Sequence, residues 1–336
     1  MSNHGENMKV QSQLTFATTE NYLCKRAKTD TQFLGHANVL QGRSWKEWEK
    51  GKCMLVNDDQ PREPATFWLV GKISDEDFWL YADGGWNKKL NKAFTSHYAT
   101  AFLVKPNAGR LSDLFEDVLA GISRIEDFSQ RSGVTIKDHL RRRPPKINED
   151  CFLLKHRVFE NSDIDSELAD SSIKEEQGQD NKGRKRQREP EADRTVTWEE
   201  MYKEWPLQSM PCRHPGSREA LEKLCNSGEH EHKWSLLEAY NQNELPLSPN
   251  EYQKLQGKTV LCSVSISRWE IKKKYSFSFH IVQLQILKPP PGSLGPPPIG
   301  STPSTPSRHK DDTLESPLKK MRMDEESIVA KMLADN

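Results

Sequence analysis

Cysteine and histidine crowd into residues 211–234, PCRHPGSREALEKLCNSGEHEHKW, which hold Cys212, His214, Cys225, His230 and His232. Thiolate and imidazole are the ligands zinc prefers, and four of them close a tetrahedral site. Cys212, His214, Cys225 and His230 are the candidate set for a structural zinc, the one cofactor the residues suggest. The spacing matches no standard finger, because the first pair is C-x-H. The competing reading is a helix that ends in an exposed histidine loop.

A second cluster, Asp75, Glu76 and Asp77, could hold a metal in a nuclease. It lies between two strand-like runs, where an acidic turn explains it as well. There is no phosphate-cradling GxxxxGK, no GxGxxG and no GxSxG. The chain reads as non-enzymatic, with a metal-dependent nuclease as the minor alternative.

The third cluster is cationic. RWEIKKKYSFSFHIVQLQIL, residues 268–287, begins with Arg268, Trp269, Lys272, Lys273 and Lys274 and continues as an alternating run. Lysines neutralise phosphate, and aromatic rings stack bases for about 1–3 kcal/mol each. These five residues are the candidate nucleic-acid contacts. Tyr275, Phe277, Phe279 and Ile281 share one face, with Ser276, Ser278 and His280 opposite, and the first stripe reads as core. At Ile281-Val282 the apolar phase flips with no turn signal, which predicts a β-bulge.

Other signals concern regulation and address. KGRKRQRE places Lys182, Arg184, Lys185, Arg186 and Arg188 in a polar stretch and reads as a nuclear localisation signal for an import receptor. Thr302, Thr305 and Ser316 each precede proline and fit proline-directed kinases, and phosphate there would sit beside the basic Lys319-Lys320-Met321-Arg322. Lys174, in Ile173-Lys174-Glu175-Glu176, fits the sumoylation pattern.

The elements that position these groups follow from pattern. TFWLVGKI (66–73), DFWLYADGGW (77–86) and HYATAFLV (97–104) read as strands. Leu111, Leu114, Phe115, Val118, Leu119, Ile122, Ile125 and Phe128 recur at three- and four-residue steps, giving a helix with one apolar face that stops before Gly133. TIKDHLRRR reads as a shorter helix ended by Pro144-Pro145, and SREALEKLC as another. In 260–266, Val260, Cys262, Val264 and Ile266 alternate as a strand.

Ser44-Trp45-Lys46-Glu47 and Thr197-Trp198-Glu199-Glu200 both fit a capping box at a helix start. Leu103-Val104-Lys105-Pro106 with Gly109 and Ile286-Leu287-Lys288-Pro289 with Gly292 are matching endings. Together these suggest a duplicated module, with chance similarity as the alternative.

Composition sets the frame. The 336 residues are 34% hydrophobic and 29% charged, too lean for packed core throughout. Lys and Arg number 49 and Asp and Glu 49, so any attraction to polyanions must be local. Six scattered cysteines without a CxxC pair fit reduced thiols. No apolar run nears the ~18 residues of a membrane span, so the chain reads as soluble and intracellular, with no membrane partner.

The expected organisation is α+β, in two small barrel-like modules (OB- or SH3-like). These are 13–159 and 197–288, after a loose 1–12, joined by a disordered charged linker 160–196 and followed by a disordered proline-rich tail 289–336. The expected function is that of a nuclear accessory protein in DNA replication, repair or transcription, binding single-stranded nucleic acid through the second module. The alternative is a nuclear adaptor whose proline-rich tail and terminal SIVAKML helix engage proteins.

Overall fold

Two 13-residue strands, Thr259–Ile271 and Lys274–Ile286, organise the molecule. Their apolar alternation demands burial on one face, and their length leaves two long edges that need partners. The structure, a computed structural model, describes residues 16–90, 92–107, 109–130, 132–147, 149–161, 205–227 and 232–288. Helix α1 (Phe16–Ala27) leads to β1 (Arg43–Glu49), β2 (Lys52–Asn57), β3 (Gln60–Pro64), β4 (Phe67–Ile73) and β5 (Tyr98–Val104). Helix α2 (Arg110–Ser129) precedes β6 (Thr135–Asp138), β7 (Arg141–Arg142), β8 (Cys151–Arg157) and β9 (Phe159–Asn161). Helix α3 (Pro215–Asn226), β10 (His232–Trp234) and β11 (Ala239–Tyr240) then lead to the long strands, β12 and β13. The architecture is mixed α+β and mostly sheet, with eleven strands in one mixed sheet and β9–β10 as a separate pair.

Within that sheet five strands close on themselves. β12 pairs with β4, β4 with β5, β5 with β8, β8 with β13, and β13 returns to β12. Only the β8–β13 contact in this circuit is parallel. Beyond the circuit the tip of β12 pairs with β2, and β13 takes β6 and β11 on its outer edge. The expected division into two modules therefore does not hold. Strands of the second region lie between strands of the first, because the edge of β4 left by β5 is taken by β12, and the edge of β8 left by β5 is taken by β13 together with β7.

The interior is lined by Val264, Ile266, Phe277, Phe279, Leu103 and Leu154, all fully buried. The predicted bulge is present. Ser263 faces Gln283 and Val264 faces Ile281, leaving Val282 unpaired and 42% exposed. Helix α2 packs its apolar stripe against β4, with Phe115 stacked on Phe152 at 4.9 Å. Phe128 departs from the stripe and is exposed, while Glu126 is buried and accepts from Leu140 N at 2.7 Å.

Other expectations are corrected. The Ser44–Glu47 box opens no helix; the segment is β1, because Trp45 alternates inward to meet Phe277 at 6.0 Å. Ser44 Oγ donates to Asp58 Oδ1 instead. TIKDHLRRR is β6 and β7, which cover the bare edges of β13 and β8. The run 77–86 is not a strand, since Asp77, Gly84 and Gly85 all take positive φ. Trp79 alone exchanges two backbone hydrogen bonds with Thr100. The matching endings close β5 and β13, two strands that flank β8, one antiparallel to it and one parallel.

Asp83 joins the two regions. Fully buried, its carboxylate accepts from Gly85 N at 2.8 Å, Arg213 N at 2.7 Å and Ser217 Oγ at 2.7 Å. It lies at the start of α3, where the helix dipole favours negative charge. Arg213 lies over the Tyr81 ring at 4.1 Å, and Lys88 pairs with Glu219.

Candidate nucleic-acid interface

The proposed zinc ligands do not converge. His214 caps the N-terminus of α3 and Cys225 is its penultimate residue, which sets them about 16 Å apart along the helix at 1.5 Å per residue. Zinc needs its ligand atoms about 2.0–2.3 Å from the metal. Burial, with Asp83 adding to it, pushes the Cys212 thiol up and away from thiolate. No metal-ligating cluster occurs among the described residues, and His230 lies outside them. The acidic trio also disperses: Asp75 pairs with Lys72 at 3.3 Å and Asp77 with Lys146 at 4.0 Å.

The basic stretch divides. Arg268 is not a surface residue. It is 3% exposed, with its guanidinium between the rings of Trp45 at 4.9 Å and Tyr275 at 4.4 Å. Its Nη2 donates to Cys53 Sγ at 3.6 Å. The cation is therefore held by aromatic faces inside the molecule. Strand alternation turns Trp269 to the opposite, outer face, half-buried, with Lys52 Nζ 5.6 Å from its ring centroid. Lys272 and Lys273 form the two-residue hairpin turn, both with positive φ (49° and 60°), and with Lys274 they are exposed.

That turn is built against backbone preference. A type I′ hairpin needs left-handed φ at both central residues, and Asn-Gly is the favoured pair. Two lysines carry a cost of roughly 1 kcal/mol each there. Replacing Lys272-Lys273 by Asn-Gly is expected to stabilise the fold by about 1 kcal/mol, read as a higher urea midpoint, and to weaken oligonucleotide binding. A variant no more stable than wild type would show that the lysines are not strained.

Register extends the outer face beyond the turn. Trp269 lies opposite Lys52 and Ser276, Ser267 opposite Ser278, and Ser265 opposite His280. His280 lies opposite Lys155, Lys155 opposite Thr100, and Arg157 opposite Tyr98. Side-chain contacts agree. Ser267 Oγ and His280 Nε2 are 2.7 Å apart, Lys155 Nζ donates to Ser278 Oγ at 3.1 Å, and the Tyr98 and His280 rings lie 6.4 Å apart. Arg157 Nε is buried without a hydrogen-bond partner among the described residues. One face thus carries Lys52, Lys155 and Arg157 around a neutral imidazole, with Tyr98 and Trp269 at its margins. The floor of this face, Thr100, Ser265, Ser267 and Ser278, is buried, and Lys52, Tyr98, Lys155, Arg157 and Trp269 are half-buried around it, so phosphates and bases would meet the partly exposed rim of cations and rings.

The electrostatics follow from this crowding. Burial first, then Lys155, Lys52, Arg157 and His156, drives the His280 pKa down to about 3. Burial also lowers His156 to about 4, partly opposed by its bond to the Ser235 carbonyl. Both imidazoles are neutral when folded and take up a proton near pH 6.5 when unfolded. The unfolded chain then binds more protons, so stability rises with pH across this window and falls as pH drops below about 6.5. Lowering the pH from 7.5 to 5 is expected to remove about 1–2 kcal/mol per histidine. His280→Gln should flatten the profile, and a wild-type melting temperature that does not change over this range would contradict the assignment.

Sequence reasoning singled out Trp269, Lys272, Lys273 and Lys274 but not Lys52, Lys155, Arg157 or Tyr98. The alternation in KHR, 155–157, was an available signal, with two cations on one strand face; Lys52 carried none. Lys174, Lys182, Arg184, Lys185, Arg186, Arg188, Thr302, Thr305 and Ser316 lie outside the described residues, as do Thr197–Glu200, most of the linker and the tail. Comparison of the chain with protein-family models, curated proteins and solved structures returns no match.

Proposed function

We propose that the chain is a non-enzymatic nuclear accessory protein that binds single-stranded nucleic acid across the outer face of an OB-like barrel. The observation that carries this reading is the convergence of Lys52, Lys155 and Arg157 on one sheet face, with Tyr98 and Trp269 beside them. In chain order the closed strands are β4, β5, β8, β12 and β13, with the third and fifth parallel. OB-folds bind oligonucleotides on the face of their second and third strands and with the loop between the fourth and fifth. Those positions correspond here to Tyr98, Thr100, Lys155 and Arg157, and to the Lys272-Lys273 turn. The basic run 182–188 supports a nuclear address, and the Thr-Pro and Ser-Pro sites of the tail support control by phosphorylation.

The test is a titration of full-length protein with a labelled single-stranded oligonucleotide of about 15 nucleotides, at about 50 and 200 mM salt. Wild type should bind more weakly at the higher salt, and Lys272→Glu, Lys273→Glu, Lys274→Glu together should lose both affinity and salt slope. Wild-type protein without salt-sensitive binding would leave the adaptor reading in its place.

A further inference from the structure

Resting on that reading, we infer that the outer face ends in a nucleobase pocket that selects guanine, with Glu238 as the group that reads it. Past the bulge, the face of β12 and β13 opens into a groove of about 560 Å3 walled by Tyr22, Gln32, Glu238, Leu261, Ser263 and Gln283. Sites for small ligands span about 300–1,000 Å3, and one nucleotide fits. The groove continues the basic face, since Ser263 is two residues along β12 from Ser265, which lies opposite His280. A strand crossing Lys155 and Arg157 is therefore led toward it.

The polar atoms of the groove are sorted by their existing bonds. Asp30 is saturated: Oδ2 accepts from Arg26 Nε and Trp68 Nε1, both at 2.8 Å, and Oδ1 from Gln32 N at 2.8 Å. Glu238 Oε1 accepts from Tyr240 Oη and from Gln283 Nε2, both at 2.8 Å. Its Oε2 takes no hydrogen bond among the described residues. The bond to Gln283 Nε2 also fixes that amide and leaves its Oε1 as an acceptor. Two acceptors, one of them charged, thus remain on hydrogen-bonded neighbours that both line the groove. Guanine alone among the DNA bases presents two adjacent donors, N1–H and the 2-amino group, on its Watson–Crick edge; unstacked bases are read on that edge. Tyr22, 37% exposed at the groove wall, offers a ring for stacking.

The experiment uses full-length protein and oligothymidylates of about ten nucleotides carrying one guanine, inosine or adenine at successive positions. Guanine at one position should bind about ten-fold tighter than adenine there, the discrimination expected of a bidentate contact. Inosine, which lacks the 2-amino group, should fall between them. Glu238→Gln should abolish the preference and keep the affinity for plain oligothymidylate. Equal wild-type affinity for guanine and adenine at every position overturns the pocket and leaves the basic face standing. Failure of wild type to bind any of these oligonucleotides overturns both.

Discussion

Reversing Lys52 and Arg157 together, as Lys52→Glu and Arg157→Glu, is expected to lower affinity for a single-stranded oligonucleotide by about two orders of magnitude. Each neutralised phosphate contributes about 0.7 to the salt slope of a single strand, and two introduced carboxylates repel the backbone as well. Arg157 Nε is buried, so the urea midpoint of the double variant is read beside its affinity. Lys52 pairs with half-exposed Glu49 at 2.9 Å, and such pairs stabilise by about 1 kcal/mol or less. A second readout is independent of any ligand. Lys52 and Arg157 are among the cations that hold down the His280 pKa, so its imidazole resonance should titrate at higher pH in the double variant. Unchanged affinity with an intact fold would contradict the interface, and an unchanged His280 titration would contradict the charge geometry.

Gly121→Ala should behave opposite to helix propensity. Gly121 lies within α2, where alanine is ordinarily better by about 1 kcal/mol. Here a Cβ would stand 1.9 Å from the Leu34 carbonyl oxygen, and backbone is what it meets. The 33–36 segment cannot yield easily. Leu34 N donates to Trp68 O at 3.0 Å, Trp68 N donates to Gln32 O at 2.9 Å, and Arg124 Nη2 donates to both Gly35 O and His36 O. The helix must be pushed off β4 instead, which opens the packing around Phe115 and Val118. A loss of about 3 kcal/mol or more is expected, read as a lower urea midpoint. A variant as stable as wild type would show that α2 and the 33–36 segment do not meet this closely.

The legible parts of the fold were those set by local pattern. The α2 stripe, the strands β4, β5 and β12, helix α3 and the bulge at Val282 follow from periodicity, which reports which face is buried and where the phase breaks. Misread segments were those whose structure is decided by a distant partner. Ser44–Glu47 satisfies a capping box on paper, but Trp45 is needed against Phe277. TIKDHLRRR has helical composition, but the edges of β13 and β8 take it as strand. Division into two modules was the natural reading of a polar stretch between two apolar regions, since nothing local says that β12 will pair with β4 across nearly 190 residues. The interface divides in the same way. Turn lysines announce themselves, whereas Lys52, Lys155 and Arg157 become one site only when β12 and β13 set β2 and β8 into one sheet. Arg268 shows the converse, a cation inside a basic run that the strand turns inward between two rings.

The central claim is that nucleic acid crosses the outer face of β5, β8, β12 and β13. Ultraviolet crosslinking of full-length protein to a single-stranded oligonucleotide of about 15 nucleotides, followed by peptide mass mapping, tests it most directly. The expected adducts fall in peptides containing Tyr98, Lys155, Arg157 and Trp269. Adducts confined to the basic run 182–188, with none on the strands, would contradict it.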